Sequence, residues 1–169
     1  MFSFAIFGLR ALVNVIVVAL YGFMCVAILV QVLGRYLFDF SISGAVESAT
    51  FAQVWMVLLG AGVAMRLNMH NSMDLIARRL SKPVFRALLV LSAGACLWFL
   101  AITILGSFPL LEIGEFQTSP ALQIPMSIPY LAVPIGCAYL ALELVLLTIG
   151  KWRAGAAPEQ AVDAPETGL

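Results

Sequence analysis

Apolar residues gather in four long blocks along this chain, and the charges gather between them. Residues 11–34, 48–65 and 87–111 contain no Asp, Glu, Lys, Arg or His, and residues 129–150 contain a single acid, Glu143. Each block approaches or exceeds the roughly 20 residues that an α-helix needs to cross a bilayer core. A membrane β-strand needs only about ten residues and alternates apolar with polar, and the first and third blocks show no such alternation. The pattern predicts four transmembrane helices. One shorter run alone would read equally well as a buried helix, but four leave too little polar chain to coat a soluble globule.

The segments between the blocks have patterns of their own. In "MRLNMHNSMDLIARRL", residues 65–80, Met69, Met73, Ile76 and Leu80 form one stripe at helical spacing, with His70, Asn71, Asp74, Arg78 and Lys82 opposite. This predicts a short amphipathic helix in the interface plane between spans two and three, ended by Pro83. Prolines 120, 125, 129 and 134 exclude an uninterrupted helix ahead of the last span. Residues 117–128 are therefore expected as an external loop or short re-entry, with Pro129 near the first turn of span four and Pro134 as a mild kink. Tyr130 and Trp152 fall where aromatic rings mark the outer and inner headgroup levels. A four-helix membrane domain is expected over residues 1–150, and a flexible cytoplasmic tail over residues 151–169, which are small, polar and proline-bearing.

Composition agrees with the pattern and narrows the class. The 169 residues are 63% hydrophobic and 11% charged, with a mean hydropathy of +1.05, where soluble domains carry about a quarter charged residues. The formal net charge is zero, and no nucleic-acid partner is expected. With both termini inside, only Arg35 of the nine Lys and Arg residues lies outside, so the positive-inside rule favours an N-in, C-in protein. The first block is longer than a secretory h-region and lacks a small-residue cleavage site behind it, and is read as a retained signal anchor. Cys25, Cys96 and Cys137 all fall within spans, as packed small hydrophobes rather than a disulfide framework.

Few residues offer chemistry. His70 and Asp74 sit four apart and can pair on one helical face, but a metal site needs three or four convergent ligands and this is the only histidine. Ser72 belongs to no nucleophile motif, and "GAG" at 60–62 lacks the Lys-Ser/Thr of a P-loop. No catalytic residue, metal or cofactor is expected. In span two, Gly60, Ala61, Gly62 and Ala64 make a small-residue patch of the kind that lets membrane helices approach, and Gln53 is too polar to face lipid cheaply. The patch is open to two uses, packing within the chain or docking another subunit. Glu143 lies two turns before Lys151, about 12 Å inward at 1.5 Å per residue. A charge there needs a partner, water or a proton. It is either a structural or interface group, with Asn14 at similar depth as a candidate partner, or part of an ion path.

The order of these features resembles a known family. "GRYLF" at 34–38, Glu47 opening the second span, "LLGAGVAMRLNMHNSMDL" at 58–75 and "SPALQIPMSIPYLAVPIG" at 119–136 are similar to the small membrane subunit of tripartite ATP-independent periplasmic (TRAP) transporters. The resemblance covers roughly residues 10–150. It implies a non-catalytic bacterial inner-membrane subunit of a sodium-driven importer of organic acids such as C4-dicarboxylates, sialic acid or sugar acids. Such a subunit scaffolds a large multi-span transport subunit and helps dock a periplasmic substrate-binding protein, with membrane lipids around it. The family's basic-histidine-acid segment falls on Arg66, His70 and Asp74, its arginine after the first span on Arg35, and its late proline-tyrosine segment on Pro125, Tyr130 and Pro134. Many relatives carry a tryptophan followed closely by two adjacent acids at the start of span two, whereas this chain reads "SGAVESATFAQVW". Four spans and one scattered acid are also little material for a complete carrier, which usually shows repeated halves with broken helices. The remaining readings are a stand-alone oligomeric channel or exporter, and a membrane anchor of an enzyme complex.

Overall fold

The computed structural model describes residues 2–37, 39–40, 43–67 and 82–154. Its regular elements are all helices: α1 (Phe2–Leu37), α2 (Ser43–Arg66), α3 (Lys82–Phe116), the single-turn α4 (Ser127–Tyr130) and α5 (Ala132–Ala154). Four spans follow, Ile6–Leu37, Gly44–Arg66, Pro83–Phe116 and Ser127–Trp152. Without water in the hydrocarbon the backbone must bond to itself, and these apolar runs can do so only as helices.

The helices stand side by side as an open row in the order α1, α2, α5, α3. The two central helices run parallel to each other, and each edge helix runs antiparallel to its neighbour. α2 and α5 have 24 and 23 residues, about 35 Å at 1.5 Å per residue, which suits a core of about 30 Å with its margins. The edge helices α1 and α3 have 36 and 35 residues and overshoot that thickness. α3 runs through Pro109, a break in the backbone ladder that membrane helices tolerate.

Helices in lipid gain nothing from hiding apolar surface from one another, so close packing must hold them. The two middle helices meet that need with glycine. At Gly136 of α5, an added Cβ would stand 2.5 Å from Leu58 Cβ, so the backbone approaches α2 as only glycine permits. Two small cores result. Val13, Leu59 and Tyr139 join α1, α2 and α5, and Leu100, Cys137 and Leu144 join α3 to α5. The outward faces remain apolar and bare, with Val18, Leu91 and Trp98 each 71% exposed, as a lipid-facing surface should be.

Two details differ from the sequence expectation. Pro134 is the third residue of α5 rather than a kink within it, because a first-turn residue has no helical amide partner to lose. Residues 151–154 continue α5, so the last helix outruns the boundary drawn at residue 150. The tail beyond residue 154, and the interfacial helix expected at residues 65–80 beyond Leu67, lie outside the described residues.

Candidate functional site

Two carboxylates organise the molecule, one toward each end of the helices. Glu143 on α5 is 1% exposed. Arg10 of α1 donates to it twice, Nε to Oε1 at 2.8 Å and Nη2 to Oε2 at 2.6 Å, and the Tyr139 hydroxyl donates to Oε1 at 3.2 Å. A bidentate guanidinium and a phenol give the buried acid what burial demands, an opposite charge and hydrogen bonds to its oxygens. α1 and α5 flank α2, so the long Arg10 side chain ties the row across its second member. Asn14, one turn further along α1, accepts from Arg66 Nη2 of α2 at 3.2 Å. Glu143 therefore takes Arg10, not Asn14, and Asn14 serves α2.

The same helical interval recurs on all three helices. Arg10 and Asn14, Gly62 and Arg66, and Tyr139 and Glu143 are each four residues apart, so each pair shares one face. Gly62 is what admits the tyrosine: a Cβ there would fall within the Tyr139 ring, 2.6 Å from Cε1. The ring, 6% exposed, lies on the α2 backbone and delivers its hydroxyl to Glu143.

At the opposite end Glu47, in the second turn of α2, accepts the backbone N–H groups of Ala121 and Leu122 through Oε2, at 2.9 and 2.8 Å. Residues 117–126 form the compact turn that presents those amides. Ser119 N–H donates to Ile124 O at 2.9 Å, Gln123 N–H to Ser119 O at 3.1 Å and Met126 N–H to Gln117 O at 2.9 Å. Thr118 and Pro125 make an isolated bridge, and Gln123 turns the chain at φ 54°, a left-handed conformation that costs a non-glycine residue. Leu122 packs on Gly44, and Tyr130 on Gly114. Residues 117–126 are thus a folded clasp over the start of α2.

The remaining sequence candidates are spread out. Arg35 and Gln53 are exposed, Pro125 belongs to the clasp bridge, and Gly60 has open space where a Cβ would be. The small-residue patch is therefore divided, with Gly62 used inside the chain and Gly60 left outside. His70 and Asp74 lie outside the described residues. Cys25, Cys96 and Cys137 are free thiols, and among the described residues no three His, Cys, Asp or Glu side chains converge as metal ligands. Sequence reasoning missed Arg10, counted as a loop base, and Tyr139. The signal that marks both is the i, i+4 spacing to another polar or small residue within an apolar run.

Four spanning helices, an internally neutralised acid and a folded clasp define a multi-pass helical membrane protein. Residues 24–154 match the family described as "Tripartite ATP-independent periplasmic transporters, DctQ component", and the chain belongs to that family, a transporter component found in bacterial inner membranes. It is 33% identical over 107 residues to the C4-dicarboxylate TRAP transporter small permease protein DctQ of Rhodobacter capsulatus, covering 62% of this chain and 47% of that protein. It is 27% identical over 143 residues to the protein of the same description from Vibrio cholerae, covering 70% and 62%. It is also 33% identical over 133 residues to the isethionate TRAP transporter permease protein DctMQ of Oleidesulfovibrio alaskensis, covering 73% of this chain but 21% of that one. The matched region thus spans about half to three fifths of the two small permease relatives and a fifth of the longer one.

Proposed function

We propose that this chain is the small, non-catalytic membrane subunit of a tripartite secondary transporter, and that it holds a large multi-span subunit in place rather than conducting substrate. The observation that carries the reading is the state of Glu143. The intramembrane acid best placed for ion coupling is enclosed by Arg10 and Tyr139 inside the chain, and the described helices stand as an open row. A relative whose printed name joins the two permease components, DctMQ, and of which this chain matches 21%, supports a large partner in direct contact. Gln53 and Gly60 on the outside of α2 suit that contact, because an amide facing hydrocarbon is costly and an open glycine invites a close-packed helix.

In this reading the N-in, C-in orientation places Arg10, Arg66, Arg86 and Lys151 at the cytoplasmic end. The clasp, which includes Pro125, then faces the periplasm together with Arg35 and Tyr130 at the same end of the helices, where it helps dock a secreted substrate-binding protein. His70 and Asp74 brace the assembly at the inner leaflet. The substrates named for the relatives, C4-dicarboxylates and isethionate, make a small organic anion the first to test, with a sodium gradient as the driving force.

The test is to co-express the chain with a large TRAP membrane subunit from the same genome, isolate the complex, and reconstitute it with a secreted TRAP binding protein from that genome. Uptake of a C4-dicarboxylate that needs all three proteins and an inward sodium gradient is the expected result. A chain that never captures the large protein, or that moves solute when reconstituted alone, overturns the scaffold reading.

A further inference from the structure

The turn that Glu47 holds also contains an unanswered group. Ser119 is 0% exposed, and among the described residues its Oγ has no hydrogen-bond partner. Buried polar groups are nearly always paired, because a donor or acceptor taken out of water and left unmatched is costly. A serine at the head of a turn commonly avoids that cost locally, its hydroxyl oxygen accepting the backbone N–H two or three residues on. Here those amides belong to Ala121 and Leu122, and both donate instead to Glu47 Oε2, at 2.9 and 2.8 Å. The carboxylate on α2 holds the bonds that Ser119 is placed to make.

The rest of the turn suits a serine cap. Gln123 N–H donates to Ser119 O at 3.1 Å, closing one turn over residues 119–123 with Ser119 at its head. Pro120 follows in the position where a missing amide loses nothing and a fixed φ helps. Ser119 N–H donates to Ile124 O at 2.9 Å and Gln123 Nε2 to Pro120 O at 3.0 Å, so the turn is closed by bonds of its own. Its ties to α2 are separate from these. They are the Glu47 bonds and the packing of Leu122 on Gly44, where a Cβ would stand 3.1 Å from Leu122 Cδ2. The turn can therefore part from α2 without opening, provided its amides find another acceptor, and a hydroxyl oxygen has two lone pairs to offer them.

We propose that residues 119–123 are a two-position latch. In the docked position, the one described above, Glu47 holds the Ala121 and Leu122 amides and the Ser119 hydroxyl is buried and unmatched. In the lifted position the turn leaves α2, the Ser119 side chain rotates, and its Oγ accepts the same two amides. The group that is unmatched in one position is matched in the other, which narrows the gap between them. A pull on the clasp thus lifts a folded unit instead of unravelling a loop. The latch uses residues of this chain alone, so it stands or falls independently of the transport reading.

The experiment is backbone amide hydrogen exchange, followed by NMR on the full chain in nanodiscs at one pH, reading Ala121 and Leu122 with the α2 amides as control. With Glu47 present, Ser119→Ala removes the unmatched hydroxyl from the docked position and slows exchange at both amides, roughly fivefold. In a Glu47→Ala chain Ser119 is the acceptor that remains, and adding Ser119→Ala speeds exchange at the same amides by a similar roughly fivefold. One substitution therefore acts in opposite directions in the two backgrounds, while exchange in α2 stays constant. Ser119→Ala that fails to slow exchange with Glu47 present overturns the proposal, because the hydroxyl is then already matched in the docked turn. Failure to speed it in the Glu47→Ala chain overturns it as well, because Ser119 then never takes the amides over.

Discussion

Glu143 and Glu47 perform the same kind of task at opposite ends of the molecule under opposite conditions. Glu143 is enclosed among helices and answered by side chains, one of them 133 residues away in sequence. Glu47 stands at an exposed end and is answered by the backbone of a turn. In a dry interior an unmatched charge is costly and a matched one fixes geometry without adding much net stability. In contact with water, a lost hydrogen bond is largely replaced by solvent. The inner carboxylate therefore decides whether α1 and α5 meet with their charges matched, and the other one decides only how the clasp is held.

The contrast should break most visibly at Arg10. Arg10→Met strands Glu143 as a buried acid and should cost about 3–5 kcal/mol, read as a lower midpoint for thermal loss of the monodisperse peak in detergent. Arg10→Met combined with Glu143→Leu should recover most of that loss, since replacing both partners removes the stranded charge. If the double variant is no more stable than Arg10→Met alone, the pair is not the source of the effect. Gly62→Ala comes next. Its Cβ displaces the Tyr139 ring, at about 1–3 kcal/mol, and Gly60→Ala, where space is open, should match wild type in the same melt. Tyr139→Phe keeps the ring and both arginine bonds and removes one donor, so about 1 kcal/mol is expected. A loss as large as that of Arg10→Met would mean the phenol, not the guanidinium, is the main support. The smallest effect belongs to the outer end. Glu47→Ala should shift the melt by less than about 1 kcal/mol, while hydrogen exchange at the Ala121 and Leu122 amides accelerates and exchange in α2 does not. A global loss of stability would erase the difference between the two ends.

The parts of this structure that were legible in the sequence were those lipid imposes. A spanning helix must be long and apolar, so the four blocks appear in the chain whatever their neighbours do. The true ends of the helices are less visible, because a charge reads as the edge of a span. α1 in fact carries Arg10 well inside it, neutralised by a group on another helix. Glu143 was recognisable as a charge in need of a partner. Its partner was not, because a pairing across 133 residues leaves no periodicity in a single chain, and Asn14 matched it in depth but not in reach. Glu47 was singled out by resemblance alone. Its role depends on a turn closed at Gln123 in a conformation unusual for that residue, which no spacing rule supplies. Gly60 and Gly62 looked equivalent in one patch and are separated by the direction each faces, with a tyrosine from α5 deciding between them.

The Arg10–Glu143 bond also sets a timetable. Arg10 leaves the ribosome 133 residues ahead of its carboxylate, which at about 5–20 residues per second is a delay of roughly 7–27 seconds. During that interval Arg10 has no acid to meet it. The pair can close only after the last helix has been made, so the contact that joins the first helix to the last is among the final ones this chain can form.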